Sequence, residues 1–411
     1  MPLPMHRRRS RLLQAVLHWA SWSSAWESSI MAETPLDRLR SAYADPLGVA
    51  QARKDAGARL VGSFLNSVPI ELVLAAGLDP IRLQGMPADT PLRASAYMEE
   101  YFDGEVRAIF EAMLAGRYAL LDLLVVPRSS EVYLQLYYLI REIPRWEPQA
   151  RLPETSLFDL LQTPGYTTAR YNLGRTKALA EQLAAIGGRA IDDTALSAAI
   201  VDANRLRTAL AEASVLWRGP SPRLSGSDAL CVIGAASVLD PADAIAQINA
   251  LVAEPPPELA RNGPRLLIKG SPQHDIRFTA LVESCGAEVV AHDHLGGDRT
   301  FETLVSEEGN PWEALVHHYQ REIPGPRAYP QAREDARFIA LAEAAAVDGV
   351  IIQHDEWDDT LGWEYPDQKR LLDARGLPVL FLKRQPYFDP PQDEQRRAVT
   401  GFIESITGGA A

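Results

Sequence analysis

Residues 121–140 read LDLLVVPRSSEVYLQLYYLI. Leu123 to Val126 form an apolar run that stops at Pro127, and two serines and a glutamate then open an amphipathic segment. That order predicts a buried strand, a short loop and a helix. Ligands of α/β proteins are usually held at the carboxyl ends of such strands, so Ser129, Ser130 and Glu131 stand at a candidate mouth. One of the two serines is expected to cap the helix, its side-chain oxygen accepting from orphan N–H groups.

The same alternation recurs on both sides. RLVGSFLNSVPIELVLAAGLDPIRLQG (59–85) reads as strand, loop, helix and strand, and YMEEYFDGEVRAIFEAMLAGRYALLD (97–122) as a helix feeding the opening strand. Thr168 to Trp217 is helical throughout, with two long segments around GGRAIDD. Further strands are expected at RLLIKG (265–270), AEVVAHD (287–293), DGVIIQH (348–354) and LPVLFLKR (377–384). Continuous apolar strands alternating with helices indicate parallel sheets covered on both faces. The expected fold is α/β, with two doubly wound parallel-sheet domains joined by a helical connector. The boundaries fall at 31–165, 166–225 and 226–411, and residues 1–30 read as an extension or an over-called start.

Composition narrows the function. A net charge of -13 argues against nucleic acid as a partner, because phosphate neutralisation needs a basic face. No apolar run reaches transmembrane length. Cys231 and Cys285 lie far apart without CxxC spacing, so alone they make neither a disulfide framework nor a thiolate metal site. Cys285, between a helix and a strand, reads as an inert buried thiol. This usage fits a reducing cytoplasm.

The familiar site patterns fail. Neither GxGxxG after a strand nor GxxxxGK[ST] occurs, and no GxSxG elbow supports a serine hydrolase. His274, His292, His294 and His354 end strands of the second half, beside Asp275, Asp293, Asp355 and Asp358. Imidazole and carboxylate together can ligate Fe, Zn or Mn; His292 and His294 share one face only if their strand continues that far, and no HExxH element is placed to bring the group together.

Taken in order, several stretches resemble one family. SVPIELVLAAGLDPIRLQG (67–85), GAEVVAHDHLGGDR (286–299), DGVIIQHDEW (348–357), YPDQKRLLDARGLPVLFLKR (365–384) and the closing FIESI (402–406) are similar to the 2-hydroxyacyl-CoA dehydratase and benzoyl-CoA reductase family. The resemblance implies a subunit of a two-component enzyme that acts on a CoA thioester. It also implies a homologous partner subunit, an activator ATPase, and a [4Fe-4S] cluster held by three cysteines, since thiolates hold the iron and set its potential.

At the positions of those ligands the chain departs from the family. Counting back from Arg107 and Gly116 places Asp103 at the first. The second falls on Ser129, Ser130 and Glu131, with Ser130 the candidate, and the third at Asp358. The usual Thr-Arg pair of the closing helix is replaced by Arg397 and Ala398. The cluster is therefore doubtful here. Asp103, Ser130 and Asp358 with His354 would suit a hard cation or mononuclear iron, or are polar residues left after the cluster was lost. Candidate bases for cluster-free chemistry are Glu131 and His354, and candidate contacts to the CoA diphosphate are Lys269, Arg299 and Arg384. The leading expectation is a dehydratase or reductase subunit without its own cluster. The alternatives are a non-catalytic partner of a cluster-bearing homologue, or a cluster-free acyl-CoA binding protein.

Overall fold

Leu123–Pro127 is a strand buried at every position, and its alternate residues serve two different cores. Leu124 and Val126 pack with Leu60 and Phe64 on one face, whereas Leu123 and Val125 pack with Val61 and Leu72 on the other. A strand apolar on both sides needs cover on both sides, which is why the run is continuous. The computed structural model describes residues 33–86, 93–260, 263–323 and 330–408. The expected extension at residues 1–30 lies outside them.

The first sheet contains β1 (Leu60–Phe64), β2 (Asp79–Leu83), β3 (Leu123–Pro127) and β4 (Thr155–Phe158). All pairs are parallel, in the order β2-β1-β3-β4. The second sheet contains β5 (Arg265–Gly270), β6 (Glu288–Asp293), β7 (Gly349–Asp355) and β8 (Val379–Gln385). It is parallel too and repeats that order as β6-β5-β7-β8. In each, the chain steps from the first strand to one neighbour and then crosses back, so a topological switch point lies between β1 and β3 and another between β5 and β7. Such points open a crevice at the carboxyl ends of the strands.

Helices Tyr166–Gly187 and Asp193–Ala213 follow the first sheet, separated at Gly188, whose φ of +70° ends the first of them. Two exchanges then lock the halves together. The first helix, Pro35–Ala44, packs through Leu36, Leu39 and Ala42 with Trp217, Val232 and Leu251 in a third core. The segment after β6 returns to the first sheet, where Val305, Leu315 and Tyr319 join the core of Val61, Leu72 and Leu183. The interface is close at Gly104, where a Cβ would stand 2.4 Å from that of Tyr387.

Two local expectations are corrected. The helix read over 97–122 is shorter, Gly104–Leu114 with Asp103 at its N-cap, because residues 97–103 run as turns and residues 115–122 lie beyond its end. Neither serine supplies a side-chain cap: Ser130 is the N-cap residue of helix Glu131–Trp146 by backbone only, and Ser129 bonds elsewhere.

Candidate functional site at the facing mouths

The loops that leave β1 and β3 meet through two hydroxyls. Ser129 Oγ donates to Ser67 Oγ at 3.0 Å, which ties the two loops across the first switch point. Next to it the buried Ser130 Oγ makes no hydrogen bond to any described residue. In the second sheet the loops after β5 and β7 meet through Ser271, which donates to Asp358 Oδ2 at 2.6 Å and accepts from the Asp355 N–H at 3.0 Å. Asp358 also caps helix Asp359–Asp373, its Oδ1 accepting from Leu361 N–H at 3.3 Å.

Between these mouths lies a group of acids and phenols drawn from both halves. Glu105, in the first turn of helix Gly104–Leu114, approaches His274 of the second half to 3.3 Å. Tyr387 donates to the Gly85 carbonyl at 2.9 Å, bridging the halves again. Burial raises the Asp355 carboxyl well above its ordinary value, and the charges of Asp358, Glu105 and Asp103 add to this. The residue keeps some surface toward the cleft while its carboxyl is enclosed by protein. Enclosure and like charge both disfavour the anion, so Asp355 holds its proton far above the usual carboxylate range. Tyr133 and Tyr387 are raised as well, by burial first and then by Glu105.

The structure gathers some of the sequence candidates and disperses others. Asp103, the backbone N-cap of helix Gly104–Leu114, acts on both Asp355 and Tyr133. Glu131 lies on the surface, its side chain 61% exposed and 3.8 Å from Arg128. His354 is buried with its ring against Phe381, 5.0 Å between centroids. Burial, then Lys269, lowers His354 to about 4. Lys269 and Arg299 are internal: Lys269 Nζ is 3.2 Å from Asp293 Oδ2, and Arg299 Nε is 2.7 Å from Asp293 Oδ1. Both charges are neutralised inside the second half, away from any solvent-borne phosphate. Arg384 differs, exposed at the carboxyl end of β8 with its guanidinium 5.9 Å from the Trp357 ring centre. Its φ of +55° is costly for a residue with a Cβ.

Glu105, Tyr133 and Tyr387 were missed from sequence, and Asp355 was read only as one of the acids that could join the histidines around a metal. Glu105 lies two residues beyond the singled-out Asp103, so proximity to that candidate was the available signal.

An iron–sulfur cluster does not fit this donor set. Cys231 is buried in helix Gly226–Ala235, its thiol pushed up to about 12 mainly by burial. Cys285 is half-buried rather than buried as read from sequence; it follows helix Arg277–Ser284 and precedes β6, which places it at the amino edge of the sheet, opposite the mouths. The mouths themselves carry hydroxyls and carboxyls, hard donors where a cluster needs soft sulfur. Among the described residues no group of three or more His, Cys, Asp and Glu side chains is arranged to hold a metal ion. The quartet of Asp103, Ser130, Asp358 and His354 does not form such a group.

The sequence model of the family described as 2-hydroxyglutaryl-CoA dehydratase, D-component, matches residues 66–406. The chain belongs to this family. The resemblance seen in the ordered motifs is thereby established over most of the chain. Among its relatives is the (R)-phenyllactyl-CoA dehydratase beta subunit of Clostridium sporogenes, 21% identical over 362 residues, covering 85% of this chain and 92% of that protein. Another is the putative dehydratase subunit YjiM of Escherichia coli (strain K12), 30% identical over 172 residues, 40% of this chain and 45% of that protein. The family match spans both switch points, from the loop after β1 to the closing helix. Among the described residues no helix is long and apolar enough to cross a membrane.

Proposed function

We propose that this chain is a cluster-free subunit of a dehydratase or reductase acting on a CoA thioester, held in the cleft between the two sheets. In this reading a homologous partner subunit carries the iron–sulfur centre, an activator ATPase supplies its electron, and the complex works in the cytoplasm. The observation that carries the reading is the chemistry of the two mouths. Ser129 with Ser67, and Ser271 with Asp358, close both switch points through oxygen alone.

What the cleft offers a thioester is hydrogen-bond donors and a proton. Asp355, biased toward its protonated form by burial and like charge, is a donor when it holds that proton, where an ordinary aspartate would be an acceptor. The phenols of Tyr133 and Tyr387 remain protonated beside it. Such groups suit the polarised carbonyl of a thioester. At the rim, Arg384 over Trp357 offers a cation and an aromatic face to the nucleotide end of CoA.

Two measurements test this. The full chain, purified without oxygen, is expected to carry no stoichiometric iron or sulfide and no cluster EPR signal. Stoichiometric iron and sulfide would overturn the cluster-free reading. Calorimetry with a panel of CoA thioesters is expected to show binding, and a panel with no binder would remove the substrate assignment.

A further inference from the structure

A pocket of about 60 Å³ opens at the second mouth, between the loop after β5, the end of β7 and the chain that follows β8. His274, Gln353, Asp355 and Tyr387 are among its lining residues, and Pro386, Pro390 and Pro391 give one wall a stiff backbone. Among the described lining residues His274 is the only imidazole. Neither Glu131 nor His354, the bases read from sequence, lines this pocket.

His274 is held from the other half of the chain. It is 7% exposed, and Glu105, which reaches it from helix Gly104–Leu114, is 9% exposed. Glu105 Oε1 lies 3.3 Å from His274 Nε2, close but without the alignment of a full hydrogen bond. Catalytic contacts in ligand-free sites are often this loose and tighten around the reacting molecule. The Tyr387 ring lies against the imidazole, 5.8 Å between centroids, while its hydroxyl is anchored on the Gly85 carbonyl. With a carboxylate facing Nε2, the neutral ring keeps its proton there and Nδ1 is the basic nitrogen. A base, a carboxylate behind it and hydrogen-bond donors beside it form the constellation that removes a proton next to a carbonyl.

Resting on the thioester reading above, we propose that this pocket performs a second, cluster-independent reaction, the reversible removal of a proton from the carbon next to the thioester carbonyl, with His274 as the base and Glu105 as its positioning residue. The Cα–H bond breaks, its electron pair moves into the carbonyl to give an enolate, and the proton passes to His274 Nδ1. After that proton exchanges with water, its return to Cα restores the thioester. No electron is gained or lost, so neither an activator nor a partner's iron–sulfur centre takes part. The enolate oxygen is met by donors of the same wall, the Gln353 amide and the protonated form of Asp355. The pocket is smaller than the roughly 150 Å³ that takes up benzene, which suits the few atoms around Cα and leaves the nucleotide outside.

The test is solvent exchange by the full chain alone. Propionyl-CoA is incubated in D₂O, deuterium at Cα is followed by mass spectrometry, and binding to the same samples is measured by calorimetry. The wild type is expected to incorporate deuterium at least about a hundredfold faster than buffer, the low end of what a positioned base contributes. His274→Gln should bring the rate close to that of buffer while binding persists. Glu105→Gln should lower the saturating rate by about ten- to a hundredfold, the cost of a misplaced reacting group, with the half-saturating concentration unchanged. Glu105→Asp should restore part of the rate. A parallel loss of rate and affinity in Glu105→Gln would make that residue a clamp between the halves and remove it from the role. Binding without exchange in the wild type overturns the proposal and leaves the proposed function standing. So does undiminished exchange in folded His274→Gln, and if that variant does not fold, undiminished exchange in Glu105→Gln overturns it instead. If no thioester binds, the proposed function and this reaction fall together.

Discussion

In the first sheet the loops after β1 and β3 meet through Ser129 and Ser67, two neutral hydroxyls. In the second, the loops after β5 and β7 meet through Ser271, one carboxylate and one backbone N–H, with the raised carboxyl of Asp355 alongside. Both sheets have the same strand order and both mouths occupy the same topological place. The contrast separates what topology dictates, a crevice at the switch point, from what side chains add. One mouth is indifferent to pH, and the other is built on groups that titrate. The ion network of the second half, around Asp293, extends this contrast into its core.

The largest expected effect breaks the second half at that network. Asp293 is fully buried and faces Lys269, Arg299 and Arg337, and together these cations hold its carboxyl well below the usual range against the cost of burial. Asp293→Asn leaves three cations without their shared anion, so urea unfolding should show a loss of roughly 3–5 kcal/mol. A loss under about 1 kcal/mol would mean that Glu334, Glu302 and Glu364 suffice to balance the cations.

How much of this was legible in the chain follows the same division. Strands β5 to β8 stood out because each is a continuous apolar run between turns, the pattern that burial on both faces demands. β4 was missed: its four residues are mostly half-buried at a sheet edge, so they carry little periodic signal. Asp103, Ser130 and Asp358 were reached through ordered motifs and their spacing. Lys269 and Arg299 were read as phosphate contacts because their partner, Asp293, is joined to them by strand pairing and a tight turn rather than by any sequence pattern. Glu105 and Tyr387 belong to the cleft only because two distant halves of the chain close on each other. No local rule reports that closure.

A smaller effect sharpens the contrast at the second mouth. Ser271→Ala removes a donor to a carboxylate and the acceptor of the Asp355 N–H. Bonds to charged groups contribute roughly 1.5–3 kcal/mol, and the loss should be of that size at neutral pH. Asp355→Asn should act in the opposite direction and with a pH dependence. A carboxyl whose folded pKa is raised contributes its full stability below the unfolded value, about 4, and loses it as pH rises through the folded value. The variant should therefore match wild type near about pH 4 and melt above it at about pH 8. A gap of constant size across that range would show that Asp355 ionises like an exposed aspartate.

The smallest effect belongs to the first mouth. Ser129→Ala removes one neutral hydrogen bond, worth about 0.5–1.5 kcal/mol. Neither hydroxyl titrates in the ordinary range, so the loss should be the same from about pH 5 to about pH 9. The sign and slope matter more than the size. If Ser129→Ala acquires a pH dependence like that of Asp355→Asn, the hydroxyl pair is coupled to the acids of the cleft, through Tyr133 or Asp103, and the two mouths form one electrostatic unit. If the loss stays flat, the mouths are independent. Thioester binding would then be expected to respond to pH through Asp355 alone, and the pH profile of calorimetric affinity in Ser129→Ala should overlay that of the wild type.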